Sequence, residues 1–83
     1  MVTIKDFRVA SFEKKCDFVT VNSNYVTSRK LGDDKVYLYH SGKFFIEVYY
    51  SSKYKKVLLI NAFDNHEGLE PYVVNVSLTD LRL

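Results

Sequence analysis

Four strand-like runs joined by short turns constrain the fold of this chain more than any other feature. Each run is rich in aromatic and β-branched residues, which favour strands. Gly32-Asp33-Asp34 and Ser41-Gly42 separate the first three runs and are typical turn sequences. Connections this short join antiparallel neighbours, because a parallel pair needs a long crossover. The sequence therefore predicts an antiparallel β-meander with strands at 25–31, 35–40, 43–50 and 55–62.

A helical segment precedes the meander. Ser11 is a typical N-cap, and apolar residues follow it at helical spacing: Phe12, Cys16 and Val19. Thr3-x-x-Asp6 predicts a shorter capped turn upstream. We therefore expect one α+β domain spanning residues 1–83, in which an N-terminal helix packs on a four-stranded antiparallel meander.

The region after the meander contains a second helical signal. Asp64-x-x-Glu67 resembles a capping box and predicts one or two helical turns, which we expect Pro71 to end. Residues 74–79 then alternate between apolar and polar side chains. This period predicts a short fifth strand, with a final helix from Ser77 as the alternative.

The charge of the chain is unevenly distributed. The net charge is only +2, but residues 1–56 carry +5 and residues 57–83 carry −3. Such an asymmetry steers an anionic partner, although a charge of +5 does not by itself indicate nucleic-acid binding.

Cys16 is the single cysteine, so an internal disulfide is excluded and a reducing compartment is indicated. We expect it to be a buried residue of the helix. The N-terminal segment is charged where a secretory signal would be apolar, and no apolar run approaches the ~20 residues that span a bilayer. We therefore expect a cytoplasmic protein without membrane contact.

Glu47 interrupts the most apolar run of the chain, FFIEVYY at 44–50. With a two-residue turn at Ser41-Gly42 and a four-residue loop at 51–54, the strand pairing predicts two faces. The predicted core face, onto which the helix packs, carries Tyr37, Tyr39, Phe44, Ile46, Val48, Tyr50, Val57 and Leu59. The second face carries Val36, Leu38, His40, Lys43, Phe45, Glu47, Tyr49, Lys56, Leu58 and Ile60. A one-residue bulge in either hairpin would exchange the faces.

Glu47 is thus predicted to mark the less buried face of the sheet, where Glu47→Leu would leave the fold intact. That face is still too apolar for full exposure to solvent. Coverage by the segment after Asp64, contact with a second copy and contact with a different partner are the three alternatives.

Signals for chemistry are weak. His40 and His66 have no neighbour at metal-ligand spacing, and no phosphate-binding or nucleophile motif occurs. We expect no enzyme, no cofactor and no metal site.

Nucleic-acid binding has two signals. GKFFIEVYY, at 42–50, partly resembles the aromatic strand of the RNA-recognition motif, although Phe45 replaces a small residue and the element order differs. Lys53-Tyr54-Lys55-Lys56 is the better candidate for contact with a nucleic-acid backbone or an acidic surface. A solvated hairpin tip is the alternative interpretation.

One resemblance covers most of the chain. The N-terminal helix, F-F-I-E-V-Y-Y at 44–50 and L-E-P-Y at 69–72 resemble a group of short bacterial proteins of phage or mobile-element type. The tail after Tyr72 departs from that group. The resemblance implies a bacterial, phage or mobile-element origin and implies no activity.

We therefore expect a small interaction protein that occupies a surface of a larger macromolecule, as an inhibitor of a host defence nuclease of the anti-CRISPR kind would. We expect the partner to be a protein, and a nucleic-acid-bound effector complex is one candidate. Direct binding of RNA or single-stranded DNA and a small homodimer are the alternatives. The predicted partner-binding residues are Phe45, Glu47, Tyr49, Lys53, Tyr54, Lys55 and Lys56.

Overall fold

The computed structural model describes residues 2–72 and confirms the α+β architecture. Two helices come first, α1 (Ile4–Val9) and α2 (Phe12–Asn22). The strands are β1 (Asn24–Leu31), β2 (Asp34–His40), β3 (Phe45–Ser51) and β4 (Lys56–Phe63), followed by a 3-10 helix (His66–Tyr72). The sheet order is β1-β2-β3-β4 and every pair is antiparallel, as a meander requires. The proposed fifth strand at 74–79, and the alternative helix from Ser77, lie outside the described residues.

Both helices begin at the predicted caps. The Asp6 N–H donates to Thr3 Oγ1 at 3.1 Å and the Thr3 N–H donates to Asp6 Oδ2 at 3.3 Å, which completes a capping box. The Lys14 N–H donates to Ser11 Oγ at 3.2 Å. These bonds satisfy N–H groups that have no partner within the helix, so each helix start is fixed locally.

The first core lies between the helices and one face of the sheet. The rings of Phe7, Phe18 and Phe44 meet there, with centroids 5.4 to 5.9 Å apart. Phe12 was predicted to join this core, but its side chain is 49% exposed. The short helix α1 supplies Phe7 to the core instead, so the apolar contact of α2 is confined to residues nearer its C-terminal end.

Cys16 was predicted to be a buried residue of the helix, and it is partly buried. Its side chain packs against the first core. It also lines a shallow groove between α2 and the sheet, together with Thr20 and Val57 among others.

The β2–β3 connection is longer than predicted. His40 pairs with Phe45, so residues 41–44 form a four-residue loop, in which Gly42 has a φ of 96° and the Ser41 N–H donates to the Phe44 carbonyl at 3.0 Å. Glu47 therefore lies opposite Leu38, whereas the two-residue turn placed it opposite Val36. The displacement is two residues, an even number, so the predicted faces of β2 and β3 are retained.

A β-bulge changes the second hairpin. Tyr50 pairs with Val57 but Tyr49 pairs with Leu59, so Leu58 is the extra residue on β4. Glu47 lies opposite Asn61, whereas the predicted loop at 51–54 placed it opposite Leu58. Ser51 pairs with Lys56, so the loop is 52–55, which displaces the register by two residues, and the bulge adds one more. Beyond the bulge the faces of β4 are exchanged: Ile60, predicted for the second face, is buried in the first core, and Leu59 takes the second face.

The second face of the sheet is covered by the 3-10 helix. The second core consists of Leu38, Phe45, Phe63, Leu69 and Tyr72, all of them buried. Gly68 packs so closely on the Phe63 ring that a β carbon there has no room. The central part of this face is therefore covered by the segment after Asp64, which was one of the three alternatives predicted for it.

Two details of that segment differ from the prediction. Asn65, rather than Asp64, provides the cap, because Asn65 Oδ1 accepts from the Gly68 N–H at 3.1 Å. Pro71 lies inside the 3-10 helix instead of ending it. Its fixed φ suits this conformation, and near the helix end its missing N–H removes only one bond.

No helix within residues 2–72 is long and apolar enough to cross a membrane.

Candidate interaction surface

The structure divides the predicted partner-binding residues into two groups. Phe45 and Glu47 are buried in and beside the second core, at 9% and 5% exposure, so neither is a surface residue. Tyr49 is half-buried. The tip residues Lys53, Tyr54, Lys55 and Lys56 are all exposed.

Glu47 is the centre of a buried polar cluster. Its Oε2 accepts from the Tyr72 hydroxyl at 2.7 Å and lies 3.6 Å from Arg29 Nη2. Its Oε1 accepts from Asn61 Nδ2 at 3.0 Å and from the Tyr49 hydroxyl at 3.4 Å. The expectation that Glu47 marks an exposed face was therefore wrong, because residues from β1, β3, β4 and the 3-10 helix all converge on its carboxylate.

The electrostatics of this cluster favour a hydrogen bond from a neutral Tyr72 hydroxyl to the Glu47 carboxylate, which is a structural contact. Burial raises the pKa of the Tyr72 hydroxyl well above its ordinary value of 10.0 and is the largest cause of the shift. The hydrogen bond to Glu47 is the next largest cause and also raises this pKa. Burial and the negative charge of Glu47 also raise the pKa of Tyr49. The Arg29 guanidinium lies over the Tyr72 ring, 5.3 Å from its centroid. The cluster thus holds the 3-10 helix against the sheet.

The β3–β4 hairpin tip is well ordered by hydrogen bonds. The Tyr54 N–H donates to Ser51 Oγ at 3.1 Å. The Ser52 N–H donates to Asp34 Oδ1 at 3.1 Å, which joins this tip to the neighbouring β1–β2 hairpin. Lys55 has a φ of 54°, the left-handed conformation that the turn needs at this position.

Lysine side chains surround the exposed ring at the tip. Tyr54 is 62% exposed. The Lys53 and Lys56 Nζ atoms lie 5.4 and 6.0 Å from its ring centroid. Both ammonium groups therefore lie over this exposed ring, in the arrangement of a cation–π contact.

The β1–β2 hairpin adds two more lysines to the same end of the sheet. Lys30 and Lys35 are exposed and lie directly opposite each other across β1 and β2. We refer to Lys30, Lys35, Lys53, Lys55 and Lys56 as the lysine end. The turn aspartates of that end, Asp33 and Asp34, leave it with a net charge of +3, while the rest of the sequence has a net charge of −1.

An exposed apolar patch adjoins the lysine end. Leu58 and Leu59 are 50% and 54% exposed, and Leu59 lies opposite the half-buried Tyr49. We refer to Tyr49, Leu58 and Leu59 as the leucine patch. In a regular strand two adjacent leucines face opposite sides of the sheet, but the bulge at Leu58 breaks that alternation.

Sequence reasoning missed the partners of Glu47 and part of the lysine end. Arg29, Asn61 and Tyr72 are distant from Glu47 in the chain, and only the correct registers bring them to it. Lys30 and Lys35 were detectable, because they flank the predicted turn at 32–34 on its two sides.

Two further findings concern metal binding and the similarity of this chain to known proteins. Within residues 2–72, no group of three or more His, Cys, Asp or Glu side chains is arranged to hold a metal ion. No protein-family model, curated protein or solved structure matches this chain. The resemblance to short bacterial proteins of phage or mobile-element type therefore stays a prediction.

Proposed function

We propose that this chain is a non-enzymatic interaction protein of the cytoplasm that binds a larger protein through the leucine patch. The observation that carries the proposal is the bulge in β4, which leaves Leu58 and Leu59 both about half exposed beside three lysines. Apolar patches with charged rims are typical of protein interaction sites.

The contact surface is smaller than the sequence predicts. The 3-10 helix covers Phe45 and Leu38, so the middle of the second face is not free for a partner. The part of that face near the lysine end is left for contact. A contact surface limited to this part of the face suits an interface in which a few anchor residues become buried, rather than a broad apolar interface.

The finer proposal is inhibition of a host defence nuclease of the anti-CRISPR kind. The charge of the lysine end restricts how such an inhibitor works. RNA-guided nucleases hold nucleic acid in a positively charged channel, which repels a basic protein. We therefore propose contact with an acidic surface, or with guide RNA exposed on the loaded complex, rather than mimicry of the nucleic-acid target.

Site-specific crosslinking tests the protein-binding proposal. A photoreactive phenylalanine analogue is placed at Leu58 or Leu59, and at Val9 or Val21 as controls, since these valines are 81% and 77% exposed on the helices. We expect an adduct of discrete mass from positions 58 and 59 only, resistant to nucleases. An adduct of twice the chain's mass would indicate a homodimer, and an adduct that nucleases remove would indicate nucleic acid. Either result, or equal labelling from all four positions, contradicts the proposal.

Affinity measurements on the captured partner test the role of the two leucines. We expect the variant Leu58→Ser with Leu59→Ser to bind at least about tenfold more weakly, because side chains at the centre of an interface carry most of its binding energy. The variant Val9→Ser with Val21→Ser should bind like the unmodified chain. Equal losses in both variants would place the interface elsewhere.

Cleavage assays test the finer proposal. Purified RNA-guided nucleases are loaded with guide and given target DNA in the presence of increasing amounts of the protein. We expect inhibition of at least one nuclease, lost in the leucine variant and kept in the valine variant. Unchanged cleavage throughout would overturn the nuclease proposal and leave the crosslinking result to stand by itself.

A further inference from the structure

Lys30 and Lys35 occupy an unfavourable position in the free protein. Their Cα atoms are direct partners across β1 and β2, so both side chains extend from the same face of the sheet. Like charges directly opposite each other destabilise a strand pair. An anion between the two ammonium groups would remove the repulsion.

Lys55 is a third unfavourable lysine. Its φ of 54° lies in the left-handed region, where glycine and asparagine are favoured and a lysine side chain is strained. In the β1–β2 turn the corresponding left-handed conformation is adopted by Gly32, with a φ of 64°. At position 55 the chain has a positive charge where a glycine would give a more stable turn. Backbone strain of this kind is characteristic of functional sites.

All three unfavourable lysines lie at the same end of the sheet. The hydrogen bond from the Ser52 N–H to Asp34 Oδ1 fixes the two hairpins relative to each other. The backbones of the two turns are therefore held in a fixed arrangement, with Lys30 and Lys35 on the face of the sheet that packs against the helices and Lys56 on the other face of the same end. Preorganisation lowers the cost of binding a ligand.

We propose that the lysine end binds the sugar-phosphate chain of a single-stranded nucleic acid, with a base stacked on Tyr54. This deepens the proposed function, which gave an acidic surface or exposed guide RNA as the ligand of the lysine end, because it commits that end to nucleic acid; the protein contact of the leucine patch does not depend on it. Stacking on an aromatic ring beside cationic side chains is how sequence-tolerant single-strand binders work. The Tyr54 ring is 62% exposed, and the Lys53 and Lys56 Nζ atoms lie over it, 5.4 and 6.0 Å from the centroid. A stacked base would take the place of an ammonium group, which would then turn to a phosphate. An acidic protein segment would use the charges but not the exposed ring.

Fluorescence anisotropy with labelled oligouridine and oligothymidine of about ten nucleotides tests the proposal, since this length matches a single-strand site. The affinity is measured from about 50 to about 200 mM KCl, and oligoglutamate of equal length is the competitor. We expect binding that weakens steeply with salt, because each lysine that contacts a phosphate contributes ~0.7 to the slope of log K against log salt. Tyr54→Ser should weaken binding without changing that slope.

Lys30→Ser and Lys55→Gly give the sharpest test, because the proposal predicts opposite effects on stability and binding. Each variant should melt at a higher temperature than the unmodified chain, since each removes repulsion or strain. Each should also bind the oligonucleotide more weakly, with a slope lower by ~0.7. Lys43→Ser is the matched control, because Lys43 is exposed in the β2–β3 loop at the opposite end of the sheet. It should change neither property.

Three results would overturn this inference. They are no detectable binding of either oligonucleotide at about 50 mM salt, displacement by oligoglutamate at equal concentration, and unchanged binding by Lys30→Ser and Lys55→Gly. None of these touches the leucine patch, so crosslinking from Leu58 would still support the proposed function. Conversely, oligonucleotide binding without any protein adduct would leave the lysine end as the binding site and refute the protein partner.

Discussion

At the scale of single residues, Glu47 explains most about this molecule. Its carboxylate accepts three hydrogen bonds and faces Arg29 at 3.6 Å, although it is only 5% exposed. A buried charge is tolerated when its partners satisfy it, and removal of one member leaves the others unpaired. Glu47 is therefore a group on which the second core depends.

We expect Glu47→Leu to destabilise the protein by about 3 kcal/mol, because Arg29, Asn61 and the Tyr72 hydroxyl lose their acceptor. Glu47→Gln keeps one acceptor oxygen and should lose about half as much. Urea denaturation followed by circular dichroism measures both. Ile46→Glu serves as the fully disruptive control, since it buries a charge without a partner in the first core. A Glu47→Leu protein as stable as the unmodified chain would show that the cluster is not formed in solution.

At the scale of elements, the docking of the 3-10 helix on the sheet is the critical contact. It depends on Gly68 against the Phe63 ring and on Tyr72 against Glu47. Both contacts are specific in shape or in hydrogen bonding, so single substitutions test them.

Gly68→Ala should destabilise the protein by roughly 1–3 kcal/mol, because the added methyl group overlaps a packed aromatic ring. Gly42→Ala is an informative comparison, since Gly42 has open space around it but a φ of 96°. Its cost should come from backbone strain alone and should leave the second core intact. Proton chemical shifts of the Phe63 ring distinguish the two cases: they should change in Gly68→Ala and persist in Gly42→Ala.

The raised pKa of Tyr72 predicts a loss of stability in alkaline solution. The folded state favours the neutral hydroxyl, so this contribution is complete below the unfolded tyrosine pKa of about 10 and is lost as the pH rises above it. Tyr72→Phe should therefore show a smaller loss of unfolding free energy between about pH 9 and about pH 11 than the unmodified chain. The other ionisable side chains are the same in both proteins, so the difference between the two isolates Tyr72. Parallel alkaline losses would contradict the raised pKa.

The sequence predicted the elements better than their registers. Period-two runs and turn residues located all four strands, and the caps at Thr3 and Ser11 located both helices. The bulge at Leu58 was not predictable, because an extra residue in a strand is selected by packing of Ile60 and Ala62 into the first core. For the same reason the candidate site was only half predicted: local sequence indicated the exposed tip, but the burial of Phe45 and Glu47 depends on a segment distant in the chain.

At the scale of the whole molecule, charge is separated along the strands. The lysine end lies at one end of β4, and the exposed Asp64 directly follows its other end, roughly 25 Å away for a strand of this length. The exposed Glu67 and Glu70 lie in the 3-10 helix that follows. Such a separation orients the protein as it approaches an anionic partner.

We expect Lys53→Ser, Lys55→Ser and Lys56→Ser together to slow association with an anionic partner while the thermal midpoint stays nearly constant, because exposed charges contribute little to folding. The matched variant replaces Lys5, Lys14 and Lys43, which are equally exposed but lie away from the tip. Stopped-flow association rates and thermal melts compare the two variants at equal net charge. A large drop in the midpoint for the tip variant alone would mean that these lysines are packed.

The distance in the chain between Glu47 and Tyr72 has a consequence for how the protein is synthesised. The carboxylate is made 25 residues before the hydroxyl that binds it. β4 ends at Phe63, so the helices and the sheet are complete in the chain before Tyr72 is added, and one face of the sheet is then bare, with a charge beside aromatic rings. In that interval the nascent chain offers a surface to chaperones that the finished protein no longer has.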